Sequence, residues 1–101
     1  MELQVNITSS SVQITGELTV YTCAAASEQI CAALAASPEL DRLDLSRVSE
    51  IDTAGLQTLL AARKYAATSG RHLRIANPSS VVAEVLELCR LTQFGAVETT
   101  P

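Results

Sequence analysis

Leu3, Val5 and Ile7 alternate with polar residues, and Val12 and Ile14 do the same after the cluster Ser9-Ser10-Ser11. A period of two sends alternate side chains to opposite faces, so the pattern predicts two half-buried strands joined as a hairpin. From about Tyr21 to Ala36 the period lengthens. Cys23, Ala26, Ile30, Ala33 and Leu34 recur at helical spacing in an alanine-rich stretch, which predicts a first helix with one apolar stripe. Ser37-Pro38 ends it, because the residue before a proline is pushed out of the α region. A short strand is expected over Arg42 to Leu45, with Leu43 and Leu45 on one face, and then a loop from Ser46 to Ile51.

The second helix is expected from Asp52 to about Ser69. Leu56, Leu59, Leu60, Ala66 and Ala67 repeat on one side of it, and Gln57, Lys64 and Thr68 fall on the other. Gly70 supplies the stop. His72-Leu73-Arg74-Ile75 alternates as a fourth strand, Asn77-Pro78-Ser79-Ser80 punctuates and caps, and Val81, Val82, Val85, Leu86 and Cys89 mark a third helix. The tail from Thr92 is open between a last short strand and a frayed end. Strands separated by helices of this length imply parallel pairing through right-handed crossovers, added to the antiparallel hairpin. No internal repeat, linker or low-complexity segment interrupts the 101 residues, a length that fits one domain with one core.

Composition sets the character of that core. Hydrophobic residues make up 48% of the chain and aromatics 3%, so it must be built from Leu, Val, Ile and Ala. The formal net charge is −4, from 11 acidic and 7 basic residues, with no basic run. Nucleic acid and anionic membrane surfaces attract clustered Lys and Arg, which argues against both as partners. Met1-Glu2-Leu3-Gln4-Val5-Asn6 is not a basic region leading into an apolar one, and no stretch approaches the length of a membrane span. The expectation is a cytoplasmic chain without membrane insertion. Cys23, Cys31 and Cys89 are odd in number and lack the spacing of a metal knuckle. On one helix the first two stand about 12 Å apart, at about 1.5 Å per residue, beyond the reach of a disulfide. Buried, reduced thiols in a reducing cytosol are expected.

The stretch with most chemical content runs Asp44-Leu45-Ser46-Arg47-Val48-Ser49-Glu50-Ile51-Asp52-Thr53-Ala54-Gly55-Leu56. Ile51 reads as the buried approach to the second helix, Asp52 as its N-cap and Thr53 as its first residue, which holds the threonine hydroxyl near unpaired backbone N–H groups. Gly55, with no side chain, lets another backbone or a partner group come close. A helix N-terminus favours negative charge by about 0.3 to 1 kcal/mol at exposed positions, so a phosphate on Thr53 is compatible with the folded domain. An Asp cap followed by a tight glycine is also ordinary fold hardware. Other reactive sets are lacking. His72, the one histidine, alternates with Leu73 and Ile75 and is expected to face solvent. No Ser-His-Asp, paired-carboxylate or metal-ligand set assembles from the spacing, and the glycines are too few and scattered for a phosphate-binding loop. Arg63 and Lys64 follow the apolar stripe of the second helix, as its solvated edge or as part of a partner contact.

This stretch resembles the signature of the STAS domain. The match lies in Asp44-Leu45-Ser46 with Val48, then in Ile51-Asp52-Thr53-Ala54-Gly55-Leu56, and extends to Thr15-Gly16-Glu17-Leu18 and to Pro78-Ser79 before the third helix. The resemblance implies an α/β chain of STAS (SpoIIAA-like) fold: a mixed β-sheet of four to five strands, an N-terminal hairpin then parallel β-α units, with about three to four helices. It also implies a non-catalytic protein that works by being bound, with no cofactor and no metal. In the anti-sigma factor antagonists of this family, the Ser or Thr after the Asp is phosphorylated by a partner anti-sigma factor, which is an ATP-dependent serine/threonine kinase. A Ser/Thr phosphatase reverses this. By position the acceptor here is Thr53, and the implied partner face is Asp52, Thr53, Ala54, Gly55 and Gln57 together with Thr19, Tyr21 and Thr22. The STAS subunit of the bacterial phospholipid-transport ABC complex is similar through Asp44 to Ser49 and Asp52 to Leu56, and there the implied partner is an ABC ATPase subunit. STAS proteins of chemosensory operons are similar in Leu18-Thr19-Val20-Tyr21-Thr22. All three readings use the same surface.

Overall fold

A computed structural model describes residues 3–8 and 10–89. The hairpin forms as expected: β1 (Gln4–Thr8) pairs antiparallel with β2 (Ser11–Leu18), from Gln4 opposite Thr15 to Thr8 opposite Ser11. Its two strands are buried unequally. β2 sends Val12 and Ile14 fully into the core, whereas on β1 and just before it Leu3 and Val5 pack only partly against that core and Ile7 stays half-exposed. The chain then runs through α1 (Cys23–Ala36), β3 (Arg42–Ile51), α2 (Thr53–Ala67), β4 (Arg74–Ala76) and α3 (Ser80–Leu88). β2, β3 and β4 pair in parallel, giving a mixed sheet in the order β1-β2-β3-β4. This is the expected α/β class, with four strands and three helices among the described residues. The tail from Thr92 lies outside them.

The main correction concerns β3. Ser46 to Ile51, expected as a loop, continues the strand. Its pairing with β2 slips twice, between Gln13 and Thr15 and between Gly16 and Glu17, and at each slip β3 spends one more residue than β2. Such slips reset the alternation of faces. Leu43 and Leu45 are buried, then Val48 three residues on, while Ser46, Arg47, Ser49 and Glu50 are exposed. A test for period two fails across those positions, so the strand reads as a loop.

Smaller shifts have local causes. α1 starts at Cys23 instead of Tyr21, because Thr19 to Thr22 form a hydrogen-bonded turn of their own. α2 ends at Ala67, two residues early, and β4 starts at Arg74 instead of His72, although Leu73 is buried. α3 begins at Ser80, with the Ser79 hydroxyl accepting from the Val82 amide at 3.5 Å.

One aliphatic core joins the layers. Val12, Ile14, Leu43, Leu45 and Ile75 come from the sheet, Ala26, Ile30 and Leu34 from α1, Leu56, Leu59 and Ala62 from α2, and Val82 and Leu86 from α3. On α2 the expected stripe holds for Leu56, Leu59 and Ala66, holds only in part for Leu60, which is partly buried and also borders Gln57 and Lys64, and fails for Ala67, which is exposed. Thr58 is buried instead, its hydroxyl satisfied by the Ala54 carbonyl at 3.0 Å. The cysteines are free thiols but not buried ones: Cys23 and Cys31 are half-buried on the flanks of the α1 stripe, and Cys89 is exposed. Arg71, just beyond α2, reaches back to the end of α1. Its guanidinium donates to the carbonyls of Leu34, Ser37 and Leu40, the Ser37 bond measuring 3.1 Å. A cation on the last carbonyls of a helix satisfies orphan acceptors and complements the negative end of the dipole.

Candidate functional site

β3 delivers the chain to Asp52, whose extended backbone (φ −123°, ψ −172°) separates strand from helix. Asp52 Oδ1 accepts from the Gly55 amide at 2.9 Å, and Oδ2 accepts from the Val20 amide at 3.0 Å. One carboxylate therefore holds the first turn of α2 and the β2–α1 turn together. The Asp52 amide donates to the Leu18 carbonyl at 3.3 Å, closing the same corner through the backbone. Hydrogen bonds to the charged form favour that form. The Gly55 amide first, and the Val20 amide after it, hold the Asp52 carboxyl below its ordinary value of 3.8.

Gly55 fixes how close α2 lies to the sheet. A β-carbon there would stand 2.0 Å from the Leu18 carbonyl oxygen, 2.8 Å from its carbon and 3.1 Å from Ile51 Cγ1. The close neighbour that the missing side chain admits is thus the backbone of β2. Gly55, expected to belong to a partner face, is buried behind the surface of this corner.

The residues expected to carry function fall around this corner. Thr53 is exposed at the first position of α2, Asp52 and Ala54 are half-buried beside it, and Gln57 is exposed one turn further on. In the β2–α1 turn the threonines point their bonding capacity inward. The Thr19 amide donates to Thr22 Oγ1 at 3.0 Å, Thr22 Oγ1 donates to the Glu17 carbonyl at 2.8 Å, and the Cys23 amide donates to the Thr19 carbonyl at 2.8 Å. Thr19 and Thr22 accordingly brace the turn, and its tip presents Val20, 60% exposed, and Tyr21, 93% exposed. Val20 lies inside the Thr19–Thr22 segment expected from sequence to flank the face, though it is not singled out there as a contact. The available signal was an apolar pair set between two threonines that tie the turn shut.

The arrangement offers a surface more than a reaction centre. An exposed hydroxyl at a helix start, one ionised carboxylate and two protruding apolar side chains suit contact with another protein. Among the described residues no group of three or more His, Cys, Asp or Glu is placed to hold a metal ion, and no helix is long and apolar enough to cross a membrane. His72 is exposed between α2 and β4, away from this corner. Arg63 and Lys64 lie on the second half of α2, where with Gln57, Leu60, Ala61 and Ala67 they line an open concavity of about 540 Å³.

The family described as Mlab, STAS domain matches residues 2–98. Among solved structures, an anti-sigma factor antagonist from Mycobacterium paratuberculosis has a TM-score of 0.80 at 22% identity, over 98% of this chain and 86% of that one. SpoIIAA, described as a Bacillus cell fate determinant, gives 0.69 in its phosphorylated form, at 17% identity over 99% and 92%. The anti-sigma factor antagonist SpoIIAA in its unphosphorylated form gives 0.66, at 18% identity over 99% and 88%. At such identities these likenesses speak for the fold. No curated protein matches the sequence. With the family match spanning nearly every residue and the sheet and helices arranged as in SpoIIAA, the chain belongs to the STAS domain family.

Proposed function

We propose that this chain is a regulatory, non-catalytic STAS domain, a single unit over residues 1–101, that binds a partner protein in the cytoplasm and is switched by phosphorylation of Thr53. The observation that carries this reading is the exposed Thr53 at the start of α2, beside a carboxylate that also anchors the Val20–Tyr21 turn. The fold likeness to SpoIIAA, known in phosphorylated and unphosphorylated forms, supports it. In the unmodified state Asp52, Thr53, Ala54 and Gln57 dock together with Thr19, Val20 and Tyr21, while Gly55 and Thr22 hold the shape. Tyrosine is enriched among the residues that dominate binding energy, which makes Tyr21 the apolar anchor.

The partner in this reading is an anti-sigma factor that is also an ATP-dependent serine/threonine kinase. Phosphate adds about −1.5 to −2 charges next to Asp52, inside a contact that must exclude water. Repulsion and desolvation then both oppose docking, and a Ser/Thr phosphatase restores the binding form. The fold itself tolerates the change, because Thr53 is exposed and negative charge is favoured at a helix start. Incubation with the cognate kinase and ATP should add one phosphate, seen in the intact mass. Thr53→Ala should abolish labelling while melting as the native chain does. Labelling at another residue, or none with the cognate kinase, rejects the switch.

A second reading keeps the face and exchanges the partner for an ABC ATPase subunit, Thr53 then serving by shape and hydrogen bonding. The apolar tip formed by Val20 and Tyr21 favours it, since a dry, permanent contact between subunits is richer in apolar area than a transient one. Co-purification with an ABC ATPase, with Thr53 unmodified in cells, selects this reading over the first.

A further inference from the structure

The outward side of α2 continues well beyond Thr53. At 3.6 residues per turn Thr53, Gln57, Leu60 and Lys64 share one stripe. Its second half opens into the concavity of about 540 Å³, lined by Leu60, Ala61 and Ala67 with Gln57, Arg63 and Lys64. α2 carries those two cations and no acidic residue. This is an apolar groove with a positive rim, on a chain whose net charge is −4.

α3 has the complementary character. Val82 and Leu86 are buried, and on the side opposite them Val81, Glu84 and Leu88 stand at i, i+3 and i+7, flanked by Glu87. All four are exposed, Leu88 to 76%. α3 holds two glutamates and no cation. One helix thus presents an apolar ridge edged by carboxylates, and another presents an apolar groove edged by cations.

We infer that a second copy of this chain covers both surfaces, α3 of each copy lying in the α2 groove of the other about a two-fold axis. Val81 and Leu88 then cover Leu60 and Ala61, while Glu84 and Glu87 face Arg63 and Lys64. The two-fold axis uses the same pair of surfaces twice, which doubles the area that one short helix can bury and brings it nearer to what a specific contact needs. Opposite charges set the register and oppose other pairings of two acidic chains. The dimer is a weak one that loosens as salt screens the charged rims.

Sedimentation velocity of the full chain, from low to high micromolar concentration, tests this through a charge swap. Arg63→Glu/Lys64→Glu alone and Glu84→Lys/Glu87→Lys alone each set like charges against one another in both contacts of their own homodimer. Each variant should raise the dissociation constant by roughly ten-fold, as expected of a few exposed pairs lost and reversed. An equimolar mixture of the two variants pairs opposite charges in both contacts again and should recover the native association, which also shows that each variant is folded. A native chain that stays monomeric throughout overturns the inference. So do variants that associate as the native chain does, or a mixture no stronger than its components. Binding of a kinase or an ATPase at Thr53 is measured separately and does not bear on the outcome.

Discussion

Gly55→Ala puts one methyl group where the structure has no room for it. The new β-carbon would meet the Leu18 carbonyl oxygen at 2.0 Å and its carbon at 2.8 Å. Non-bonded heavy atoms settle at roughly 3.5 Å, so α2 and the end of β2 must part by more than 1 Å, on the order of the difference. Both obstructing atoms are backbone, which no rotamer change can move aside. Overpacking of this kind costs about 1 to 3 kcal/mol and sometimes more, and a backbone obstacle belongs at the upper end. Alanine returns at most about 1 kcal/mol of helix propensity. The net loss is then about 2 kcal/mol, or a drop in Tm of roughly 8 to 16 °C for a domain of this size. Thermal and urea unfolding followed by circular dichroism read it directly. Gly70→Ala is the companion measurement, because a β-carbon there meets nothing within 4 Å and only its φ of 75° opposes it, a cost of about 1 kcal/mol. Parting the helix from the strand also draws Asp52, its cap, away from the Val20 amide, so partner binding should fall together with stability. A Gly55→Ala chain that melts at or above the native temperature would refute the close approach on which the corner is built.

Three further outcomes follow from named contacts. Arg71→Ala strips the end of α1 of its cation and should cost about 1 to 3 kcal/mol in urea unfolding, with Arg71→Lys recovering only part, since the charge remains but the planar fork is lost. Asp52 has a folded pKa below its ordinary 3.8, so its ionised form stabilises the fold above that value and the contribution disappears as pH falls through the lower, folded one. Asp52→Asn should therefore be less stable than the native chain at neutral pH, with the gap closing in acid below about pH 4; a gap independent of pH would contradict the two amide bonds. In the native state a thiol reagent should modify Cys89 before Cys23 and Cys31, following exposure, and faster labelling of Cys31 would place α1 wrongly on the sheet.

The elements that the sequence disclosed are those whose burial keeps a single period. α1 and α2 turn one stripe to the core along their whole length, and Ala26, Ile30, Leu56 and Leu59 can be assigned by spacing alone. β3 could not, because each slip against β2 shifts the buried parity, from Leu45 to Val48. That shift depends on a partner strand distant in sequence. The Asp52 cap was legible for a local reason: the residue, its helix and the Gly55 amide all lie within four positions. The bond from Asp52 to the Val20 amide and the approach of Gly55 to Leu18 span more than thirty residues, so no local pattern announces them. Arg71 escapes for the same reason, since its partners sit at the end of α1, more than thirty residues back.

α2 consequently divides its work by face. Gly55, Leu56, Leu59, Ala62 and Ala66 are buried and fix the helix against β2 and its neighbours, whereas Thr53, Gln57 and Lys64 are exposed along a single outward line. Chemistry on that line alters what the helix can bind without taxing what holds it in place. Because a partner seated at Thr53 and a second copy seated over Leu60 and Lys64 would meet at Gln57, the two cannot occupy the stripe fully at once. Ligands that exclude one another are coupled through the free surface: raising the chain concentration draws it into dimers and weakens apparent partner affinity, and saturating partner returns it to monomer. Thr53 phosphorylation would then act at the border of both contacts, releasing the partner by its charge and leaving the basic half of the groove, around Arg63 and Lys64, available to α3 of another copy.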